Sequence, residues 1–268
     1  MIIDTIVTDM DDTMLNGESK ISERTFRVVE ECKRRGIRVI AASGRTAASM
    51  YPYMAQLHTG MPYIGGNGSE IIGADHQMIE QLTLDVELAR EVIAALLDVG
   101  FHVHAYRDDS FYYGVECEAA ENYKKSSKMK GVAVGDLCRF LDFPTPKLLA
   151  VGPEERVAQM YPIMTERFAD RVSFTVSKPY FLEAEPLNAS KGNALRRLAE
   201  MRGDITPEHT LCFGDSKNDI SLLSYTPNSV AMANGREELK QIAAYVCPPN
   251  TEDGWAHFIE EHVLHTTV

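Results

Sequence analysis

The stretch "IVTDMDDTMLNG" (residues 6–17) places three carboxylates, Asp9, Asp11 and Asp12, directly after an apolar run. The run predicts a buried β-strand over residues 2–8, and ligands of parallel α/β sheets bind beyond the carboxyl ends of the strands. If the extended geometry continues, Asp9 and Asp11 point to the same side of the chain. A divalent cation would relieve their repulsion, and carboxylate oxygens suit Mg²⁺. A turn that merely starts a loop is the alternative for this motif taken alone.

The composition is that of a soluble globular protein. The chain has 268 residues, of which 44% are hydrophobic and 25% charged, and it contains no apolar run long enough to cross a bilayer. Five cysteines without CxxC spacing predict reduced thiols in the cytoplasm, and the N-terminus lacks the features of an export signal. A net charge of −12 argues against nucleic-acid and membrane partners, but it allows a local pocket for a small anion. No obligate protein partner is evident.

Both ends of the chain alternate between strand and helix patterns. At the N-terminal end we predict strands over residues 2–8 and 37–43 and helices over 22–36 and 45–57, the last bent or shortened by Pro52. A similar alternation returns between residue 191 and the C-terminus. Near-continuous apolar strands separated by helices are typical of a parallel sheet with helices on both faces. The sequence therefore predicts an α/β fold with a Rossmann-like core.

The middle of the chain has a different pattern. Residues 101–107 and 111–115 alternate apolar and polar positions across a short turn, and residues 171–177 and 180–186 form a second such pair. Hairpins interleaved with helices indicate a separate α+β unit inserted into the parallel-sheet domain. We predict a core of residues 1–81 and 187–268 and an inserted α+β cap domain of residues 82–186.

Three further segments carry polar groups at predicted strand ends or helix starts. "ASGR" (42–45) offers the Ser43 hydroxyl and backbone N–H groups at a helix start, and "SKG" (190–192) offers Lys191, a point charge suited to phosphate. "FGDSKND" (213–219) ends a strand at Asp215. Taken singly, each is more simply a turn, a solvated lysine or a helix cap. Their conjunction at the strand ends of one sheet indicates a site for a metal ion and a phosphate.

These motifs resemble those of a known family. "DMDDT", "SGR", "SKG" and "GDSKND" are similar to the four motifs of the haloacid dehalogenase superfamily, and the long insert resembles the cap of its Cof-type phosphatase branch. "GGNGSEI" (65–71), "LEAEPLNASKGNAL" (182–195), "AMANG" (231–235) and "TEDGWA" (251–256) agree with that branch. Asp12 and Ser216 stand where many members have glycine, and neither change removes a group that the chemistry needs.

The resemblance implies a role for each motif residue. Asp9 would be the nucleophile that becomes phosphorylated, and Asp11 the general acid and base. The implied phosphate-binding residues are Ser43, Gly44, Lys191 and Asn218. The implied ligands of Mg²⁺ are Asp9, Asp11, Asp215 and Asp219. A carboxylate needs no deprotonation to attack phosphorus at neutral pH, and positive charge on the phosphate oxygens is what phosphoryl transfer requires.

We therefore expect a Mg²⁺-dependent phosphatase that acts on a small phosphorylated metabolite, such as a sugar phosphate or a phosphorylated cofactor. A sugar phosphomutase with the same chemistry and a non-catalytic phosphate-binding regulator are the alternatives. Selectivity among substrates is expected to come from the cap. His102, His104 and Tyr106 alternate along residues 101–107, and we expect this polar face to look into the cleft or out to solvent rather than to bind a metal.

Overall fold

Strands and helices alternate along both ends of the chain, as the apolar periodicity predicts. The structure is a computed structural model in which residues 2–127 and 129–265 are described. The strands are β1 (Thr5–Thr8), β2 (Arg38–Ala41), β3 (Tyr63–Gly65), β4 (Glu70–Ile72), β5 (Met78–Gln81), β6 (His102–Arg107), β7 (Ser110–Tyr113), β8 (Lys130–Ala133), β9 (Leu148–Val151), β10 (Val172–Lys178), β11 (Phe181–Pro186), β12 (Thr210–Gly214), β13 (Asn228–Met232) and β14 (Tyr245–Cys247). The helices are α1 (Glu23–Arg34), α2 (Ala47–Leu57), α3 (Val86–Asp98), α4 (Glu118–Ser127), α5 (Leu137–Phe140), α6 (Glu154–Arg167), α7 (Lys191–Arg202), α8 (Ile220–Leu223), α9 (Glu237–Ile242) and α10 (Gly254–Ile259).

A five-stranded parallel sheet joins the two ends of the chain. Its strand order is β14-β13-β12-β1-β2, so the first strand pairs with β12 on one side and β2 on the other. Val7, Ile40 and Cys212 face one layer of buried residues that includes Leu195 of α7. On the opposite face, the Phe213 ring contacts Trp255 and Phe258 of α10. With helices on both faces, the carboxyl ends of the strands form the edge at which ligands of such sheets bind.

Helix α1 shows how local sequence produces this layer. Ser22 caps its N-terminus, because the Ser22 hydroxyl accepts a hydrogen bond from the backbone N–H of Thr25 at 3.0 Å. The buried residues Thr25, Val28, Val29 and Cys32 follow helical spacing and form one face. The helix packs with this face against β2 and α10. The predicted cap and helix are therefore both present.

A second, six-stranded sheet has the order β10-β11-β9-β6-β7-β8. Strands β6 and β7 form an antiparallel hairpin, as do β10 and β11, so both predicted hairpins are present. One face of this sheet packs on α3 and α6 through a layer of buried residues that includes Val92, Leu148 and Met160. This part of the chain is thus an α+β unit with a core of its own.

The chain divides into two compact units. One comprises Met1–Gly44, Met50–Ile79 and Ser190–Val268, and the other comprises Arg45–Ser49 and Glu80–Ala189. The first contains the parallel sheet and the second the six-stranded sheet. None of the helices in the described part of the chain is both long and apolar enough to span a bilayer.

The structure differs from the sequence-based expectations in three places. Most of the polar face of β6 is buried: His102 is partly exposed, but His104 and Tyr106 are buried, and their rings contact Phe111 of β7 and Tyr123 of α4. Burial lowers the pKa of His104 well below its ordinary value, so the ring is neutral within this aromatic cluster. The three-stranded sheet β3-β4-β5 is present although none of its strands was predicted. Pro52, in turn, lies inside α2 without ending it.

Gly203 at the end of α7 provides a test of local backbone strain. It has a φ of +72°, and its N–H donates to the carbonyl of Ala199 at 2.8 Å. No described heavy atom lies within 4 Å of a Cβ built there, so any loss on substitution comes from the backbone alone. We expect Gly203→Ala to lower the free energy of unfolding by about 1–2 kcal/mol, measured by urea denaturation. Gly203→Asn, which tolerates this conformation better, should lose less, and equal losses for Ala and Asn would contradict the strain argument.

Candidate active site

Three neighbouring strands of the parallel sheet end in polar residues. Asp9 directly follows β1, Asp215 directly follows β12, and Ser43 comes two residues after β2. Strand β1 lies between the other two, and the Asp9 N–H donates to the carbonyl of Phe213 at 3.1 Å. The sheet therefore brings residues far apart in sequence to one edge, as the motif positions predict.

Lys191 joins this edge to the start of α7. Its side chain is fully buried, and its Nζ lies 2.5 Å from Asp9 Oδ1 and 2.6 Å from Asp219 Oδ1. Burial alone would lower the pKa of Lys191, but the carboxylates of Asp219 and Asp9 outweigh it and the pKa lies above its ordinary value. The ammonium group therefore stays charged and holds two carboxylates in fixed positions.

The second carboxylate oxygen of Asp219 also accepts hydrogen bonds. Asp219 Oδ2 accepts hydrogen bonds from the backbone N–H groups of Asp215 at 3.1 Å and Ser216 at 3.0 Å. Hydrogen bonds from backbone donors fix a carboxylate more firmly than solvent does. Asp219 thus ties the turn after β12 to Lys191.

Asp9, Asp215 and Asp219 each offer a carboxylate oxygen, and these oxygens all lie within 4.8 Å of one another. Asp215 Oδ1 also accepts a hydrogen bond from the Thr13 hydroxyl at 3.2 Å. Oxygen donors at this spacing fit a hard divalent cation. Among the described residues 2–127 and 129–265, this carboxylate group does not include Asp11, which the family resemblance implies as a further metal ligand.

Asp11 and Asp12 lie in the turn that follows Asp9. The backbone is extended at Asp11, with φ −70° and ψ 132°, and left-handed at Asp12, with φ 58° and ψ 10°. The carbonyl of Asp12 accepts a hydrogen bond from Asn234 Nδ2 at 2.8 Å, while its side chain is exposed. Asp12 therefore shapes the turn, and Asp11 is partly exposed two residues beyond Asp9.

Three of the four predicted phosphate-binding residues, Ser43, Gly44 and Asn218, lie against Asn67, which was not a predicted site residue. Ser43 is buried, and its carbonyl accepts a hydrogen bond from the N–H of Asn67 at 3.0 Å. The side-chain Oδ1 of Asn67 accepts one from Asn218 Nδ2 at 2.7 Å and would lie 2.8 Å from a Cβ placed on Gly44. The one sequence signal for Asn67 was its position between two glycines in "GGNGSEI".

Crowding of carboxylates changes their proton affinity. Burial raises the pKa of Asp9 well above its ordinary value, and the carboxylates of Asp219, Asp215 and Asp11 add to this while Lys191 opposes it. Burial and the neighbouring Asp219 raise the pKa of Asp215 to about 7. One ammonium group therefore does not balance the negative charge of the three carboxylates. This excess of negative charge favours the binding of protons or of a cation.

Comparison with known proteins agrees with this geometry. The family described as haloacid dehalogenase-like hydrolase matches residues 6–259. This chain belongs to that family. A haloacid dehalogenase-like hydrolase from Bacteroides thetaiotaomicron has a similar solved structure, with 27% identity, a TM-score of 0.87 and coverage of 97% of this chain and 99% of the other.

Two relatives of this hydrolase carry the names of specific phosphatases. An HMP-PP phosphatase of Serratia proteamaculans is 28% identical over 87% of this chain and 85% of its own length. A 5-amino-6-(5-phospho-D-ribitylamino)uracil phosphatase of Bacillus subtilis is 25% identical over 96% of both chains. The predicted family, the α/β fold and the assignment to a hydrolase class are therefore confirmed, and the chain belongs to a family of phosphatases.

The raised carboxylate pKa values predict how pH affects this hydrolase. A group whose pKa is raised on folding stabilises the protein at pH values below the pKa of that group in the unfolded chain. This contribution is lost as the pH rises through the pKa of the group in the folded protein. For Asp215 the window runs from 3.8 to about 7. In the presence of a chelator, the free energy of unfolding should therefore contain a component from Asp215 that falls across this window. The measurement is urea denaturation at a series of pH values.

Asp215→Asn provides the matched control, because it keeps the shape and removes the titrating group. The difference in stability between the two proteins should change with pH across this window. Excess MgCl₂ should stabilise the original protein more as pH rises, since protons compete with the cation, and it should stabilise Asp215→Asn less. A pH-independent difference between the two proteins in chelator would contradict the raised pKa of Asp215.

Proposed function

We propose that this hydrolase is a Mg²⁺-dependent phosphatase that removes phosphate from a small phosphorylated metabolite through an aspartyl-phosphate on Asp9. The observation that carries the proposal is the buried ammonium group of Lys191, 2.5 Å from Asp9 Oδ1 and 2.6 Å from Asp219 Oδ1. A carboxylate oriented by a buried cation at a strand end is suited to attack phosphorus. Lys191 also supplies positive charge where the phosphate oxygens would lie.

The three neighbouring carboxylates support a cation site. Asp219 already accepts hydrogen bonds from Lys191 and from two backbone N–H groups, so we assign direct contact with the cation to Asp9 and Asp215 and a positioning role to Asp219. Oxygen donors of this kind suit Mg²⁺. A bound Mg²⁺ supplies positive charge that offsets the charge of the phosphate and of the two aspartates.

The proposed reaction has two steps. A carboxylate oxygen of Asp9 attacks phosphorus, the bond from phosphorus to the substrate oxygen breaks, and Asp11 donates a proton to the leaving alkoxide. Asp11, now ionised, then removes a proton from water, whose oxygen attacks phosphorus and releases orthophosphate and the Asp9 carboxylate. Ser43, the backbone at Gly44, and Asn218 bind the phosphate oxygens in both steps. The partial exposure of Asp11 outside the carboxylate group supports its assignment to proton transfer.

The substrate class follows from the relatives and from the two units of the chain. The named relatives act as phosphatases of small phosphorylated compounds by their printed names, and we extend that class to this chain. The residues assigned here to the phosphate and the cation all lie in the first unit, and these two groups are common to every candidate substrate. We therefore propose that the second unit is the cap and supplies selectivity for the rest of the substrate. The five free cysteines, which all lie in the described residues, support a cytoplasmic location.

The division of labour between the two aspartates is testable with Asp11→Asn. Loss of general acid and base catalysis should lower kcat by about 10²–10⁴ on a substrate with a poor leaving group. The rate of the first step, measured by rapid quench, should fall less with nitrophenyl phosphate, because its leaving group needs no proton. Asp9→Asn should abolish turnover on both substrates with little effect on urea stability. Equal losses of first-step rate on good and poor leaving groups would contradict the role of Asp11.

A further inference from the structure

The turn between β3 and β4 has an unusual backbone. Gly66, Asn67 and Gly68 have φ values of 53°, 52° and 101°, so three consecutive residues are left-handed. Glycine adopts this conformation readily, and asparagine is one of the few other residues that tolerate it. The middle position thus holds a side chain where glycine would fit the backbone better, and that side chain contacts the phosphate motifs.

This turn, residues 66–68, lies against all three predicted phosphate-binding segments. The Asn67 N–H donates to the carbonyl of Ser43 at 3.0 Å. A Cβ on Gly68 would lie 2.2 Å from the carbonyl oxygen of Ser190, the residue before Lys191. Arg197 of α7 also donates to the carbonyl of Gly68 at 2.9 Å. The turn therefore fixes the spacing between the segment after β2 and the start of α7.

The Asn67 side chain reaches the third segment. Its Oδ1 accepts a hydrogen bond from Asn218 Nδ2 at 2.7 Å, while Asn218 Oδ1 lies 2.5 Å from the Ser216 hydroxyl, which donates to it. In this arrangement the Asn218 Nδ2 faces Asn67 and the Asn218 Oδ1 faces Ser216. An amide nitrogen carries two hydrogens, so one remains to donate to an anion.

We propose that Asn67 is a positioning residue that orients the Asn218 amide so that it donates to the phosphate of the substrate. The inference rests on the proposed phosphatase function. Asn67 acts through Asn218 and through the backbone of Ser43, and it does not contact the reacting atoms. Without the Asn67 side chain, the Asn218 amide can rotate and present its oxygen to the phosphate, which would repel it.

Asn67→Gly separates the side chain from the backbone, because glycine adopts the left-handed conformation without strain. We expect it to fold, with a urea midpoint close to that of the original protein. With nitrophenyl phosphate as substrate and excess MgCl₂, KM and the inhibition constant of orthophosphate should both rise about threefold to tenfold, as expected for one lost hydrogen bond. The Mg²⁺ concentration that gives half-maximal activity should not change, because the cation ligands are untouched.

A double-mutant cycle tests whether Asn67 acts through Asn218. The inhibition constant of orthophosphate is measured for Asn67→Gly, Asn218→Ala and the double variant. The double variant should be no worse than Asn218→Ala alone. His58→Gly is the matched control, since His58 is an exposed residue with a φ of 45° directly after α2, and it should leave both constants unchanged.

The outcomes separate the two proposals. If the original protein is active and Asn67→Gly has the same inhibition constant for orthophosphate, the role of Asn67 is overturned. The phosphatase function is not affected by that result. Additive effects in the double variant would overturn action through Asn218. An original protein that hydrolyses no phosphate ester in the presence of Mg²⁺ would overturn the phosphatase function and the role of Asn67 with it.

Discussion

The buried ion pairs of Lys191 are the interaction on which the candidate site depends. An ammonium group removed from water is stable only when carboxylates and good geometry replace its hydration. Asp9 and Asp219 provide this replacement from two different segments of the chain. The start of α7, the end of β1 and the turn after β12 are therefore held together by one side chain. Removal of Lys191 would leave two buried carboxylates without their counter-charge.

The same pairs leave the site with an excess of negative charge. Three carboxylates lie within 4.8 Å of one another beside a single buried ammonium group, and burial, together with this crowding, raises the pKa values of Asp9 and Asp215. Such a cluster gains stability when a divalent cation replaces the protons. In the proposed reaction, the fixed ammonium group and a bound cation would together provide positive charge for the phosphate. The repulsion between the carboxylates at the strand ends thus favours the cation that the proposed reaction needs.

Most strands and helices could be predicted from local sequence, because the two have different apolar periods and clear end signals. Helix α1 with its Ser22 cap and the β6–β7 hairpin were predicted from such signals. The site motifs were also predicted, since the carboxyl ends of parallel strands meet at one edge. Individual side-chain hydrogen bonds between distant segments were not predictable. The Asn67–Asn218 hydrogen bond spans 151 positions, and no local pattern encodes it.

The burial of His104 and Tyr106 on β6 was the other feature that the sequence did not reveal. The alternation of His104 and Tyr106 along β6 suggested a polar face exposed to solvent or to a cleft, but α4 and β7 place aromatic rings against it. Histidine and tyrosine have apolar bodies and pack well among aromatic rings when neutral. Their polarity alone therefore did not distinguish a binding face from a core. The short strands β3 to β5 were missed because three or four residues give little periodicity.

The most direct test of the central claim is to identify the residue that carries phosphate during turnover. Asp11→Asn, which should slow the second step, is mixed with nitrophenyl phosphate and MgCl₂, quenched in acid and reduced with borohydride, and its peptides are sequenced by mass spectrometry. The account predicts that position 9 is converted to homoserine, and that Asp9→Asn shows no such conversion. Phosphate on another residue, or continued hydrolysis without modification of Asp9, would contradict it.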